Sequence, residues 1–357
     1  MSQSARPKSL GSSVATLAFA LFLSLAVCSV FILIAGEKPL AVARIFLTGA
    51  FGTPYDLGLS LFHALPIALA GLAVALGLRS GLFNIGVEGQ LIMGTFAAAL
   101  TAQALSHQAW PVLFVVSSLS ALAAGFAWGA LLAWLKASRG AHEVVSGIML
   151  NTLAYGLTSW CVLQFFANPH SQNPESLPIA EELRFALWPF FDGAPMSWHI
   201  LLVPLIALLL WIWSNWTRSG FAMSLVGSAP GAARHAGFSL KSLEFWAISL
   251  GGLIAGSIGI VEVFGNNGRF VIGFSPGYGF LGIAVALLGR LHPFGILFAS
   301  LVFGALYKGS LELDFETQGI TKDFALILQA VIILFLSCES LIPKSWLNRF
   351  SRPTEGA

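Results

Sequence analysis

Charge is scarce in this chain of 357 residues: Asp, Glu, Lys and Arg make up 10% of it, where a soluble domain carries roughly 25%. No polar stretch is long enough to fold as a separate soluble unit. A net charge of +2 is too small to mark a nucleic-acid partner. Cysteine is scarce too. Cys28, Cys161 and Cys338 lie far apart in apolar runs, with no CxxC pair or Cys/His cluster, which excludes a disulfide framework and a cysteine-based metal site. The phosphate cradle GxxxxGKS or GxxxxGKT is missing, as are the metal helix HExxH and a strand-fed GxGxxG. Any nucleotide that powers this chain is therefore bound by another one.

What is abundant is apolar residues, 57% of the chain, with a mean hydropathy of +0.83. This composition belongs to an integral membrane protein. A helix needs about 20 apolar residues to cross a hydrocarbon core of about 30 Å, and that ruler marks about ten segments: 14–35, 57–77, 84–105, 110–135, 143–167, 198–216, 242–264, 277–289, 293–308 and 323–341. The eighth is short and reads as a half-helix or re-entrant segment. The first exceeds the 7–15 residues or so of a signal-peptide core and reads as an uncleaved span. Alternating segments of about ten residues, the mark of a membrane barrel, are absent, so the expected fold is all-α. The expected organisation is one membrane domain over 14–341 between short cytoplasmic tails, 1–13 and 342–357.

The positive-inside rule orients this layout. With a cytoplasmic N-terminus, the inner segments hold Arg79, Lys136, Arg139, Arg218, Arg234, Lys241 and Arg290 besides the terminal charges, twice as many cations as the outer segments with Lys38, Arg44, Arg184, Arg269, Lys308 and Lys322. Trp110, Trp188, Trp198, Trp216 and Trp346 fall near span ends, where an aromatic belt belongs. The external loop 168–197 is Pro-rich and acidic, either a cap or docking surface or a solvated connector. Gly125 to Gly129 and Gly252 to Gly256 match GxxxG, the spacing that lets helix backbones approach closely in lipid.

A few phrases stand out from this apolar background. "GLFNIGVEGQ" places Asn84, Glu88 and Gln90 at the start of the third span, with Glu88 about 10 Å deep by helical rise. A charge inside the bilayer costs about 2.5–3.5 kcal/mol on insertion scales, so it faces a cavity or a partner. Local chemistry leaves open whether this cluster lines a path or staples helices. Pro66 interrupts the second span and is expected to kink it. Ser275, Pro276, Gly277 and Tyr278 form a Pro/Gly turn before the short eighth span, either a helix N-terminus offering amides to a polar substrate or a plain tight turn. In the inner loop 217–241, Pro230 is placed to start a short helix with Arg234 and His235 exposed, suited to docking a cytoplasmic motor or to lying on the lipid surface. Glu88 reads as the sole plausible deep carboxylate.

Four phrases, "GLRSGLFNIGVEGQLIMG", "HEVVSGIMLNTLAYGL", "GSAPGAARHAGFS" and "SPGYGFLGIAVALLGRLHPFG", closely resemble the permease subunits of bacterial ABC importers of the branched-chain-amino-acid/ribose type, in their nucleoside branch. The likeness runs in order from about Leu57 to Leu341, and the longer N-terminal part resembles the larger of the two permeases such systems pair. The resemblance implies an inverted repeat of spans 2–5 and 7–10. It also implies a second permease, a cytoplasmic ATPase that holds ATP and Mg, and an external binding lipoprotein of the basic-membrane-protein type. No cofactor is expected in this chain. Gly227, Pro230, Ala232, Ala233, Arg234, Ala236 and Gly237 would mark the element that seats on the ATPase. Asn84, Glu88 and Gln90, with Ser275 to Tyr278, would line the pathway or its gate. The expected place is the bacterial inner membrane, the expected cargo a nucleoside. The rivals are a simple sugar such as ribose in the same architecture, or a secondary transporter acting alone.

Overall fold

The computed structural model of the chain describes residues 26–317 without interruption, together with Leu23 and scattered positions from 319 to 334. The expected tails, most of the tenth span and the inner, N-terminal part of the first lie outside the described residues. The chain is all-helical there, with isolated bridges and no strand among the described residues.

Two compact units separate: one combines the residues up to Thr53 with those from Leu306 onward, the other is Pro54–Ala305. In the first, α1 (Ala26–Ile34) and α2 (Pro39–Phe51) meet at an angle of 109°. Sequence reading left 36–56 as a connector, but Pro39 in the first turn starts a helix, since its missing N–H is one that a helix start leaves unpaired anyway.

The second unit opens with α3 (Pro54–Arg79), which runs unbroken through Pro66 rather than stopping there. It is followed by α4 (Val87–Ala104), α5 (Trp110–Arg139) and α6 (Glu143–Cys161), which ends in a π turn, Val162–Phe166. After the external loop come α7 (Leu202–Trp216), α8 (Arg218–Ser228) and α9 (Pro230–His235). Next are α10 (Leu240–Gly256), the short α11 (Ile258–Ile260) with a π turn at Val261–Asn266, α12 (Tyr278–Leu288) and α13 (Pro293–Glu316). The second to ninth expected spans each hold a described helix. Among the described residues five helices are long and apolar enough to cross a membrane, or six if α1 and α2 count as one broken span. α13 runs past its expected end at 308, so Lys308 and Glu312, expected in an outer loop, are paired at 2.7 Å on its last turns.

α3 and the α10 segment are the core. Their apolar windows are 78% and 89% buried, against 17% for Trp198–Trp216, as expected when a helix is apolar all round and other helices surround it. The two GxxxG stretches meet each other. Gly125 and Gly129 of α5 lie against Gly252 and Gly256 of α10, so close that a Cβ on Gly129 would sit 3.2 Å from the Gly252 Cα. Backbones approach this closely only where side chains are missing.

Candidate translocation site

The phrase "GLFNIGVEGQ" is not helical from its start. α3 ends at Arg79, Gly81 turns the chain at φ +76°, and residues 82–86 climb back beside α3, the Leu82 N–H bonding to the Gly77 carbonyl at 2.9 Å. The helix begins at Val87, three residues later than expected, which puts Glu88 in the first turn of α4. Asn84, 1% exposed, and Gln90 exchange amide bonds of 3.2 and 3.3 Å, tying the climbing strand to the helix it feeds. A helix start leaves its first amides unpaired. Here Asn151 of α6 supplies the partner: its Oδ1 accepts from the Gly89 N–H at 2.8 Å while its Nδ2 donates to the Ile85 carbonyl at 2.9 Å. Gly147, one turn before Asn151, presents no side chain to Gly86, which lets α6 come that close.

α12 starts against the same spot. Gly277 adopts φ +94°, and Ser275 Oγ accepts from the N–H groups of Gly277 and Tyr278 at 3.2 and 3.0 Å. Glu88 Oε2 accepts from the Gly279 N–H at 2.6 Å, and Ser275 hydrogen-bonds the same carboxyl group. The carboxyl of Glu88 thus caps a helix far away in sequence, and the positive end of the α12 dipole favours an acidic group there. Gly279 has no room for a side chain, since a Cβ would lie 2.5 Å from the Glu88 nitrogen.

Neighbouring contacts fix the depth of this junction. Gly282 of α12 abuts Ala70 of α3, and α12 runs from there towards Leu291, whose carbonyl accepts from Arg79 Nε at 3.0 Å. Ala70 lies about 13 Å from Arg79 by helical rise, and Gly279 about one turn further on. By helical rise along α3 and α12, Glu88 thus stands about 18 Å from the Arg79 end of α3.

Beside this junction lies a cavity of about 310 Å³, at the small end of the roughly 300–1,000 Å³ of ligand sites. Its polar wall is Glu88, Asn151, Thr152, Thr158, Ser159 and Ser275, and its aromatic wall is Tyr155, Phe270, Phe274 and Phe280. Ser159 Oγ is buried with no hydrogen-bond partner among the described residues. Of the residues singled out in the sequence, Glu88 and Ser275 line the cavity. Asn84, Gln90, Pro276, Gly277 and Tyr278 do not, and Tyr278 is buried.

Two residues of the aromatic wall, Phe270 and Phe274, hang from an arm, 268–275, that the external loop holds in place. Ser176 N–H donates to the Phe270 carbonyl and Phe270 N–H to Ser176 Oγ, at 2.9 and 3.0 Å. Ile272 N–H donates to the Pro174 carbonyl at 3.0 Å, and Arg269 pairs with Glu175 at 3.1 Å. Arg184 also donates to the Asn266 carbonyl. The loop is a brace for the arm rather than a solvated connector. At the root of the arm, Glu262 is 3% exposed and accepts from Asn266 Nδ2 and Asn267 Nδ2 at 3.1 and 2.9 Å. Glu88 is therefore not the sole deep carboxylate. Glu262 escapes sequence reading because it lies near the end of a long apolar run, and its two asparagines look like loop residues.

The spacing Gly273-Phe274-Ser275-Pro276-Gly277 matches GxSxG, and Gly277 to Gly282 matches GxGxxG. Neither carries its usual chemistry. The Ser275 hydroxyl is spent on capping amides and on Glu88, and among the described residues no histidine lines the cavity and no strand precedes α12.

At the basic end, Pro230 starts α9, Ala233 is buried, and Ala232, Arg234, Ala236 and Gly237 are exposed. An additional helix, α8, precedes it. Gly227 at the end of α8 presses on the backbone of Arg79 to Gly81, where a Cβ would come within 2.8 Å of the Gly81 nitrogen.

Residues 57–337 match the family described as "Branched-chain amino acid transport system / permease component". This chain belongs to that permease family. It is a translocation component of a membrane transport system, not an enzyme. A glucose ABC transporter permease protein of Haloferax volcanii, TsgB13, is 36% identical over 77% of this chain and 74% of its own length. Two guanosine ABC transporter permease proteins of Bacillus subtilis also match: NupP at 32% identity over 89% of this chain and 91% of its own, and NupQ at 28% over 69% and 78%. A solved inward-facing structure of a metal-chelate type ABC transporter covers 88% of this chain and 95% of that one at 18% identity, with a TM-score of 0.44.

Within this permease, Asn151 is the site residue that sequence reading missed. Its signal was there: a lone amide within the apolar run "GIMLNTLAYGL", four residues from Gly147 and so on the same helix face.

Proposed function

We propose that this chain is the membrane-spanning permease subunit of an ATP-driven importer of nucleosides in the bacterial inner membrane, with both termini cytoplasmic. It works beside a second permease, a cytoplasmic ATPase that binds ATP and Mg, and an external binding lipoprotein. The cavity carries this reading. It lies at mid-depth, where two helices begin inside the membrane, the arrangement in which transporter half-helices place their substrates, and it pairs an aromatic wall with hydroxyl and amide groups, the two chemistries of a nucleoside. The two Bacillus subtilis guanosine permeases support both the cargo and a paired second permease. Binding and hydrolysis of ATP would act through the exposed face of α9, with Gly227, Pro230, Ala232, Ala233, Arg234, Ala236 and Gly237 forming the docking element. Transport then requires two arrangements of the pathway that ligand and nucleotide favour differently.

A simple sugar as cargo is favoured by the identity to the Haloferax volcanii glucose permease. A secondary transporter acting alone fits less well. Its second deep carboxylate, Glu262, is committed to Asn266 and Asn267. The deciding experiment is uptake of labelled guanosine, cytidine, ribose and glucose in a strain lacking this chain and in the same strain with it restored. Guanosine or cytidine uptake that returns with the chain supports the reading. Uptake of the sugars alone overturns the choice of cargo.

A further inference from the structure

We infer that the cavity selects an uncharged ligand and turns away the phosphorylated form of the same compound, with Glu88 as the specificity-determining residue. The inference rests on the permease reading and adds to it what the site rejects.

Two helix starts that face a mid-membrane cavity are ordinarily a place for an anion, because unpaired amides and the positive dipole ends converge there. In this chain amides at both starts are already taken from within. The Gly89 amide at the start of α4 is bonded by Asn151, and the Gly279 amide at the start of α12 by the Glu88 carboxyl at 2.6 Å. The Gly277 and Tyr278 amides are taken by Ser275. Among the described residues no Lys, Arg or His lines the cavity, so an entering phosphate meets an acidic group there and no cation. A phosphate in a low-dielectric site without a donor is strongly disfavoured.

An uncharged ligand finds the opposite. Ser159 Oγ is buried without a partner in the cavity wall, and Asn151 and Thr158 keep acceptor capacity beyond the bonds they make. The rings of Phe270, Phe274 and Phe280 supply a face for a planar base. Glu88 is thus a resident stand-in for an anion: it completes the α12 start and takes the place a phosphate would occupy.

The test uses the assembled importer, without its binding protein, in lipid nanodiscs. Cys28, Cys161 and Cys338 are changed to Ser, and Ser159→Cys reports on the cavity through its rate of alkylation by a maleimide. Thr152→Cys, also in the wall, serves where Ser159→Cys does not assemble. Guanosine at about ten times its dissociation constant should slow labelling about tenfold, since the free fraction falls as one over one plus the ligand ratio. Guanosine 5′-monophosphate should leave the rate unchanged. In Glu88→Gln the monophosphate should begin to protect.

Equal protection by guanosine and its monophosphate in the native background overturns the inference. So does a Glu88→Gln variant that still ignores the monophosphate. If neither nucleosides nor sugars protect while uptake in cells still depends on the chain, the cavity assignment falls and the proposed function stands. If glucose protects, glucose 6-phosphate does not and guanosine has no effect, the inference holds and the nucleoside reading falls.

Discussion

Removing the Asn151 amide is the sharpest perturbation of the site, because one side chain serves two buried backbone groups. Asn151→Ala leaves the Gly89 N–H and the Ile85 carbonyl without partners. An unpaired buried polar group costs about 1–3 kcal/mol, but hydrogen bonds between membrane helices average only about 0.6 kcal/mol and reach about 1.7. The lower range applies here, and two groups together come to about 1–3 kcal/mol. At about 2 °C per kcal/mol for a chain of this size, the midpoint of thermal unfolding in detergent should fall by roughly 2–6 °C. Asn151→Asp keeps an acceptor for Gly89 but sets an oxygen against the Ile85 carbonyl, so it should unfold between wild type and the alanine variant. Thr152→Ala is the control: its hydroxyl bonds to the Ile148 carbonyl of its own helix and the residue is exposed, so its midpoint should stay within about a degree of wild type, surface changes being worth about 0.5 kcal/mol or less. An Asn151→Ala protein that unfolds with wild type yet loses transport would refute the clamp and make Asn151 a ligand contact.

Glu88→Gln keeps an oxygen for the Gly279 amide, so membrane insertion and detergent stability should change by about 1 kcal/mol or less while uptake falls; unchanged uptake would leave Glu88 as a staple alone. Gly252→Leu forces a side chain into the α5 backbone, where its Cβ would lie 3.1 Å from the Gly129 Cα. It should abolish the monodisperse peak on size-exclusion chromatography, whereas Gly156→Ala, with nothing within 4 Å, should leave it intact. Glu175→Gln should loosen the arm that carries the aromatic wall, read as faster maleimide labelling of Phe274→Cys, with a coupling to Arg269→Gln of about 1 kcal/mol because the arginine side chain is 34% exposed; additive effects would mean the ion pair does not brace the arm.

The helices were legible because apolar runs of the right length are the whole signal for a membrane span. The two GxxxG stretches also told the truth about close packing, since glycine spacing constrains which backbones can meet. The cap that Glu88 places on α12 was not legible. It depends on a stretch from Ser80 to Gly86 that folds back beside α3 before α4 begins at Val87, and such a short segment enters no hydropathy window. The extra helix α2 was hidden because its 13 residues, Arg44 among them, fall short of the apolar run of about 20 that marks a span. Asn151 and Glu262 were missed for one reason: each is a single polar residue in an apolar run, and what gives it meaning is a partner across the fold or just past the predicted helix end. Sequence spacing shows which face a residue is on, not what waits opposite.

The same contacts join the two ends of the site. Gly227 at the close of α8 rests on the Arg79–Gly81 turn, and that turn is the foot of the strand whose upper end holds the Asn84–Gln90 pair and Glu88. On the proposed docking role of α9, a push there would have a short route to the start of α12, through α8, this turn and the Asn84–Gln90 pair. For that route to transmit anything, its top must have two stable arrangements, because packed interiors switch between discrete states rather than deform smoothly. The bonds from Glu88 to Gly279 and from Asn151 to Gly89 are the natural ones to break, being the links between α4 and the helices that move against it. A carboxyl oxygen that caps a helix in one arrangement, and is released beside a bound ligand in the other, would make the staple and the gate the same residue at different times.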